Sequence, residues 1–469
     1  MEERRLDKGN TRQQNACRTQ SRVSASSALE RVRHVAATDR AARFTALLHH
    51  VDVDRLRGAY RALSPRAAAG VDGETWESYG HNLEARLRDL HARVQRGAYR
   101  AKPSRRVYIP KTDGRLRPLG IAALEDKIVQ RAIVEVLNAI YETDFLGFSY
   151  GFRPGRGPHD ALDALTVAIE GRKVNWVFDA DFRDFFTSLD HSWLVRFLEH
   201  RIADKRVLRL IQKWLRAGVV EDGRWTASEE GSPQGATVSP LLANVYLHYV
   251  FDLWVQQWRS RRARGEMIVV RYADDVVVGF QHQSDAERFR RDLEQRLGRF
   301  GLALNAEKTR LLRFGRFAAR QRSERRLGRP ETFDFLGFTH YCAKTKDGRF
   351  AVRRRTIKKR QAAKLKQIKT LLMARRHRPI EEQGRWLGAV VRGHLAYYSV
   401  PGNIHQVSAF RDEVIRLWRA ALRRRSQKTR MNWQRMRRLV DRYLPRARYT
   451  HPWPNERFAA RTRVRSPVR

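Results

Sequence analysis

Two neighbouring aspartates, Asp274 and Asp275, lie between two β-branched runs in the stretch from Met267 to Phe280. Val and Ile runs interrupted by a short polar turn are typical of a β-hairpin, so this stretch predicts two paired strands with the carboxylates at the turn. Two adjacent negative charges in such a place are costly unless a cation neutralises them. An ordinary solvated turn is the alternative interpretation, because Asp is common in turns of any function.

The same hairpin predicts a metal site. Mg²⁺ prefers carboxylate oxygens and is usually held by one or two of them together with substrate phosphates. A third carboxylate is needed to hold two ions, and a second apolar strand leads into Asp179, Asp181 and Asp184. Asp181, our choice, would clamp two Mg²⁺ about 4 Å apart together with Asp274 and Asp275, with Mn²⁺ as a substitute. Spacing alone leaves Asp179 and Asp184 as rivals.

The composition indicates a folded protein that binds a polyanion. The 469 residues include 42% hydrophobic side chains, which suits two to four structural units with a substantial core. Lys and Arg number 95 against 50 Asp and Glu, and a formal net charge of +45 exceeds what solubility requires. Nucleic acid is therefore the expected partner. The sequence contains no long apolar run, so we expect no membrane association.

The basic charge is concentrated in residues 351–469, which contain 33 Lys and Arg and 6 Asp and Glu. A predicted helix there has Ile357, Leu365, Ile368 and Leu372 on one face. We expect this face to pack and the lysines on the remainder to contact RNA or DNA phosphates. The alternative is an ordinary solvated helical face. The lysines predicted to bind nucleic acid are Lys358, Lys359, Lys364 and Lys366.

The element pattern predicts the α+β class. Strands are expected at Val174–Ala180 and in the hairpin, with helices at Leu241–Trp258 and Ser284–Phe300. This mixture favours a sheet backed by helices. Cys17 and Cys342 are too far apart to indicate a disulfide framework or a zinc site, and no secretory signal is evident, so a reducing intracellular setting is expected.

At this point the sequence resembles a known family, the bacterial group II intron reverse transcriptases, also called intron-encoded maturases. The likeness covers about residues 60–450. Tyr272-Ala-Asp-Asp275 resembles the catalytic Tyr-x-Asp-Asp box of the family. In the family's other carboxylate motif an aromatic residue follows five positions later; Phe186 meets that spacing from Asp181, so the resemblance selects Asp181 over its rivals. Further blocks occur in the family's order: 69–73, 109–121, 149–155, 231–235, 239–244, 304–309 and 335–338.

The resemblance implies roles for further residues. Lys111 and Arg117 would grip the triphosphate of the incoming nucleotide, and Gln234 would contact that nucleotide from a tight turn. Phe186 would stack under the sugar and exclude a 2′-hydroxyl, and Lys308 would protonate the leaving pyrophosphate. The alternatives are surface charge for the cations and an ordinary core position for Phe186.

The resemblance also implies a right-hand polymerase, with fingers and palm around an antiparallel sheet, followed by an α-helical thumb. The expected parts are a disordered basic segment (1–27), fingers and palm (28–345, with an N-terminal extension to about residue 100), a thumb or maturase domain (346–426), and a basic DNA-binding-like tail (427–469). Many relatives carry a nuclease domain with paired cysteines. This sequence has no such pairs, so DNA nicking is not expected of it.

The expected function is that of an RNA-directed DNA polymerase that copies group II intron RNA and assists splicing and mobility. Its partners would be intron RNA, a template–primer, target DNA and deoxynucleotides, in the bacterial cytoplasm or at the nucleoid. One alternative is an RNA-binding splicing maturase with little or no polymerase activity. Others are a retron-type or diversity-generating reverse transcriptase and an RNA-dependent RNA polymerase.

Overall fold

The computed structural model describes residues 28–110, 116–227, 230–231, 235–426 and 431–462. The described part is an α+β protein. Its helices are α1 (residues 28–38), α2 (Val53–Ala62), α3 (Trp76–Gly80), α4 (Leu83–Gln95), α5 (Leu124–Asp144), α6 (Pro158–Gly171), α7 (His191–Glu199), α8 (Lys205–Arg216), α9 (Ser239–Leu247), α10 (Leu253–Arg261), α11 (Gln283–Gly298), α12 (Ala318–Glu324), α13 (Lys358–Ala374), α14 (Ile380–Tyr398), α15 (Ile404–Arg423), α16 (Trp433–Tyr443) and α17 (Pro454–Thr462).

The strands form three sheets, and most strand pairs are antiparallel. The strands are β1 (Ser104–Pro110), β2 (Leu116–Ile121), β3 (Trp176–Asp181), β4 (Val219–Glu221), β5 (Arg224–Thr226), β6 (Met267–Tyr272), β7 (Asp275–Phe280), β8 (Arg310–Arg313), β9 (Phe333–Phe335), β10 (Phe338–Lys344) and β11 (Phe350–Thr356). Their orders are β2-β1-β4-β5, β6-β7-β3-β8 and β11-β10-β9. Of the pairs in these sheets, β1 with β4 is parallel.

The β6-β7-β3-β8 sheet, which we call the palm, confirms the predicted hairpin. Strands β6 and β7 pair from Met267 to Phe280 around a two-residue turn. The strand predicted at Val174–Ala180 is β3, which begins two residues later and extends to Asp181. Helix α6 packs against β6 and α11 packs against β3 and β7. Because helices cover the sheet, consecutive Val and Ile residues of the hairpin are buried on both faces.

The helices around the palm follow the predicted pattern. The helix expected at Leu241–Trp258 is a continuous run of α9, one π-helical turn (His248–Asp252) and α10. The helix expected at Ser284–Phe300 is α11. The palm and the helices that precede it share a large hydrophobic core, to which α5 contributes most of its length. Of the helices in the described ranges, none is long and apolar enough to cross a membrane.

Helices α13–α16, which we call the thumb, have a hydrophobic core of their own. Ile368 and Leu372 of α13 are buried in that core, as the apolar face predicted. The four lysines predicted to bind nucleic acid are exposed on the remaining faces of α13. Met436 and Val440 of α16 belong to the same core, so the helical unit continues into the segment predicted as a separate tail.

Residues 450–462 return from the thumb to the palm and pack on α6. Arg457 forms an ion pair with Asp160 at 3.0 Å and approaches Asp163 at 3.6 Å. The rings of His451 and His159 stack with their centroids 4.0 Å apart. We call this contact the clasp. It ties the far end of the thumb to a palm helix that itself supports β6.

Candidate active site

The strand register brings the predicted carboxylates together. Asp181, the last residue of β3, is the direct cross-strand partner of Asp275, the first residue of β7. Such partners have Cα atoms about 4.5–5.5 Å apart. Asp274 precedes Asp275 in the hairpin turn. Three carboxylates from two distant segments therefore meet where β3 ends and β7 begins.

The turn that carries Asp274 has an unusual backbone. Ala273 has a φ of +56°, a conformation that costs a residue with a side chain about 1 kcal/mol. The backbone at Gly151 packs directly on this turn, because a Cβ on Gly151 would lie 2.3 Å from the Ala273 nitrogen. Only glycine allows that approach. The segment 148–151 also forms backbone hydrogen bonds with Arg271.

A buried arginine holds the turn from behind. Arg271 is fully buried, and its Nε and Nη2 donate to the two carboxylate oxygens of Asp252 at 2.7 and 2.6 Å. Nη1 donates to the carbonyl of Ala273 at 3.1 Å and to Asn244 Oδ1 at 3.0 Å, and Nη2 donates to Ser149 Oγ at 2.7 Å. All five N–H groups are thus used, which fixes the turn relative to α9 and to the neighbouring loop.

Sequence reasoning missed this network. Arg271 and Asp252 are single charges inside apolar runs, and a charge is rarely fully buried unless it is paired. That signal predicts that each residue has a buried partner. It does not identify the partner, because the two residues are on different elements.

The carboxylates carry negative charge that is only partly neutralised. Burial raises the pKa of Asp275 to about 7, and the charges of Asp274, Asp181 and Asp179 contribute to the rise. Burial also raises the pKa of Asp274, as does the charge of Asp181. Asp275 is nevertheless exposed to solvent. This is an environment in which a cation would bind.

Each of the two aspartates in β3, Asp179 and Asp181, contacts a different cation. Lys308 Nζ donates to Asp181 Oδ2 at 2.8 Å, and Arg310 lies 3.4 Å from Asp179. Burial raises the pKa of Asp179 to about 6. Asp184, the other rival, is an exposed residue with a φ of +45°. Of the three, Asp181 is the one that faces Asp275 in the sheet.

The donors suit a hard divalent cation, because all three are carboxylates and their charges repel each other. Within the described ranges, however, no group of three or more His, Cys, Asp or Glu side chains is arranged around a common point as a metal site. Asp181 is instead paired with Lys308. The three carboxylates are therefore ligands of the kind that Mg²⁺ prefers, but their side chains do not converge on a common point.

Strand β2 carries a cation that acts on the same carboxylates. Arg117 is exposed on β2, and its positive charge lowers the pKa of Asp274, so the guanidinium lies within electrostatic range of that carboxylate. Lys111 and Gln234 lie outside the described residues. Gly235, which follows Gln234, has a φ of +112° and packs closely on β2, because a Cβ there would lie 2.8 Å from the carbonyl oxygen of Gly120.

Phe186 lies in a short 3₁₀ turn (Phe185–Thr187) that follows β3. Its ring packs edge-on against Phe185, with centroids 5.4 Å apart. Phe185 is buried, whereas Phe186 is only half-buried. Phe186 is therefore partly accessible to solvent.

Comparison with known proteins agrees with this geometry. A family profile described as reverse transcriptase (RNA-dependent DNA polymerase) matches residues 109–340, which include all three carboxylates. Protein YkfC of Escherichia coli is 36% identical over 59% of this chain and 81% of its own length. The group II intron-encoded protein LtrA of Lactococcus lactis is 33% identical over 46% of this chain. The chain belongs to the group II intron-type reverse transcriptase/maturase family.

Family membership confirms the resemblance in the sequence and the α+β reverse transcriptase fold. A third member, nuclear intron maturase 3 of Arabidopsis thaliana, is 32% identical over 26% of this chain and 17% of its own length. The LtrA alignment likewise spans 36% of that protein. The matches to these two members thus cover only part of each protein. The palm carboxylates lie inside the region that the reverse transcriptase profile matches.

Proposed function

We propose that this protein is an RNA-directed DNA polymerase of a group II intron, which copies intron RNA and binds it to assist splicing and mobility. The observation that carries the proposal is the register pairing of Asp181 with Asp275, beside Asp274. Three carboxylates whose charge is only partly neutralised suit two-metal nucleotidyl transfer. The basic thumb suits a nucleic-acid partner.

Asp181, Asp274 and Asp275 would hold two Mg²⁺, with Mn²⁺ as a substitute. When bound, the ions would activate the 3′-hydroxyl and stabilise the leaving pyrophosphate. Arg117, whose charge lowers the pKa of Asp274, would bind the triphosphate, a role that we also propose for Lys111. Gln234 would contact the same nucleotide.

Phe186 and Lys308 complete the proposed site. Phe186 would pack under the sugar and leave no room for a 2′-hydroxyl, which would give preference for deoxynucleotides. Lys308 holds a proton at Nζ, 2.8 Å from Asp181 Oδ2, and would donate it to the leaving pyrophosphate. Lys358, Lys359, Lys364 and Lys366 would bind phosphates of the template–primer or the intron RNA.

The decisive experiment is Asp274→Asn, measured as deoxynucleotide incorporation on an RNA template with a DNA primer and Mg²⁺. We expect synthesis to fall by about 1,000-fold or more, because loss of a carboxylate ligand removes several kcal/mol of charge stabilisation. Asp184→Asn is the matched control. Its side chain is exposed, Asn tolerates a positive φ, and synthesis should stay within about twofold. Undiminished synthesis by Asp274→Asn would refute the assignment.

The runner-up is an RNA-binding splicing maturase without polymerase activity, which the exposed basic face of α13 favours. A splicing assay of the same Asp274→Asn variant separates the two functions. Splicing assistance should survive the substitution, because RNA binding uses the thumb rather than the palm carboxylates. If the unsubstituted protein assists splicing but incorporates no deoxynucleotide, the maturase alternative replaces the polymerase.

A further inference from the structure

The turn that carries Phe186 takes its position from contacts with other segments. It is a 3₁₀ turn of three residues, Phe185–Thr187, and a helix of that length is not stable by itself. At its beginning, the backbone nitrogens of Thr187 and Ser188 donate to the carbonyl of Asp184 at 2.9 and 3.1 Å. These local bonds close the turn, but they do not fix its distance from the rest of the molecule.

Gly231 packs on this turn. It is buried, and a Cβ there would lie 2.9 Å from the carbonyl oxygen of Phe186 and 2.9 Å from the Cα of Thr187. Its φ of +83° also favours glycine. The backbone of Gly231 therefore lies directly against the residue that we propose selects the sugar.

Both polar backbone groups of Gly231 are bonded to the segment that follows the turn. Its N–H donates to the carbonyl of Leu189 at 2.8 Å. Its carbonyl oxygen lies 2.6 Å from Nε2 of His191, and because a carbonyl can only accept, Nε2 carries the hydrogen of this bond. Gly231 is thus held between positions 189 and 191, once by a backbone group and once by a side chain.

His191 projects from a firmly held element. It is the first residue of α7, where the side chain of Asp190 caps the helix by accepting from the backbone nitrogen of Trp193 at 2.8 Å. Leu194 of the same helix is fully buried in the hydrophobic core, and α7 packs against α8 and α9. The imidazole can therefore hold Gly231 in place rather than follow its movement.

We propose that His191 is a positioning residue for nucleotide selection, because its bond to Gly231 holds the Phe186 turn at the distance that excludes a ribose 2′-hydroxyl. This inference rests on the proposed polymerase function and on the proposed role of Phe186. A steric gate distinguishes the two sugars by a single hydroxyl, so a displacement of about 1 Å is enough to impair it. Without the Nε2 donor, Gly231 would move away from the turn and the ring of Phe186 would recede.

The test compares variants of the full chain. His191→Phe keeps a flat ring of similar size but removes the donor, and His191→Gln keeps an N–H donor near the position of Nε2. Phe186→Ala removes the gate itself. His200→Phe is the matched control, because His200 is an exposed histidine at the other end of α7. The readout is the ratio of kcat/KM for a deoxynucleotide to that for the matching ribonucleotide.

We expect His191→Phe to lower this ratio by about 3- to 10-fold, because the gate is displaced rather than lost. His191→Gln should recover most of the preference, and His200→Phe should leave the ratio within about twofold. With Phe186→Ala and His191→Phe combined, the ratio should equal that of Phe186→Ala alone, because both changes act through one ring. A merely structural role of His191 would lower synthesis with both nucleotides equally and leave the ratio unchanged.

A second measurement requires no synthesis. Amide hydrogen exchange at Thr187 and Gly231 reports whether the turn is held. We expect exchange at both amides to become about 5-fold faster in His191→Phe, which corresponds to the loss of one hydrogen bond. Exchange should stay unchanged in His191→Gln and in His200→Phe.

Three results would overturn the proposal. One is a nucleotide ratio that His191→Phe leaves unchanged, whether or not Phe186→Ala lowers it. The second is a loss in His191→Gln as large as that in His191→Phe, and the third is unchanged exchange at Thr187 and Gly231 in His191→Phe. Failure of the polymerase function is a separate result, seen as absent synthesis by the unsubstituted protein, and the exchange measurement then still decides whether His191 holds the turn.

Discussion

Charged side chains of the palm are held by other side chains, whereas those of thumb helix α13 extend into solvent. Arg271 is fully buried and uses every donor, and its partner Asp252 is equally inaccessible. Lys358, Lys359 and Lys366 are exposed and form no ion pair with another described residue. The palm therefore fixes the geometry of its carboxylates before a substrate binds, and the thumb offers cations that a polyanion can order.

This difference predicts how each region responds to substitution. In the palm one lost partner leaves a buried charge uncompensated, so single changes have large effects. On an exposed helix each cation contributes little alone, and its contribution is screened by salt. Substitutions in the two regions test that contrast, from the largest expected effect to the smallest.

Asp252→Asn should have the largest effect on stability. It leaves the Arg271 guanidinium buried without a carboxylate, which costs about 3–5 kcal/mol of the free energy of unfolding. Urea unfolding measures this cost, and primer extension should fall as well because the Ala273 turn loses its support. Asp441→Asn is the control, since Asp441 is exposed and lies 4.0 Å from Arg446. Equal stability of the two variants would contradict the contrast between buried and exposed charge.

Phe186→Ala should have an intermediate effect on nucleotide choice. Removal of the half-buried ring would open space beneath the sugar, so the preference for deoxynucleotides over ribonucleotides should fall by about 10- to 100-fold, or 1–3 kcal/mol. The measurement is the ratio of kcat/KM for the two nucleotides. Phe317→Ala, at an exposed position outside the palm strands, should leave the ratio unchanged. Unchanged discrimination at Phe186 would make that residue structural and strengthen the RNA polymerase alternative.

The four α13 lysines should give the smallest effect per residue. With Lys358, Lys359, Lys364 and Lys366 all changed to Gln, the slope of log affinity against log salt should become shallower by up to about 3, or roughly 0.7–0.9 for each phosphate that is no longer neutralised. Each single change should be close to neutral at physiological salt. A control variant removes four arginines that already have carboxylate partners: Arg290, Arg320, Arg349 and Arg416. An equal change of slope in both variants would show that only total charge matters.

The sequence predicted the local parts of this site well. Apolar runs on both sides of Asp274 and Asp275 identify the hairpin, because the signal lies within 14 consecutive residues. The choice of Asp181 over Asp179 and Asp184 required the family spacing, since all three lie in or just after the same strand. In the structure the choice corresponds to strand register, a property of two segments about 90 residues apart that neither segment encodes alone.

Contacts between distant segments could not be predicted from local patterns. The pair of Arg457 with Asp160 joins positions 297 residues apart. Such pairs depend on tertiary packing, and in a chain with 95 Lys and Arg no local period distinguishes the arginines that are paired from those that are exposed.

The clasp has a mechanical consequence. The clasp is one of several contacts between helices α13–α16 and the rest of the molecule. Thr356 N of β11 donates to Asn403 Oδ1, and Tyr397 donates to the carbonyl of Leu336. His451 and Arg457 add the contact with α6. A body held at several separate points cannot swing away as a free lever would, so a pull on the thumb would be shared among these contacts, and loss of the Arg457 ion pair would leave the others to resist it.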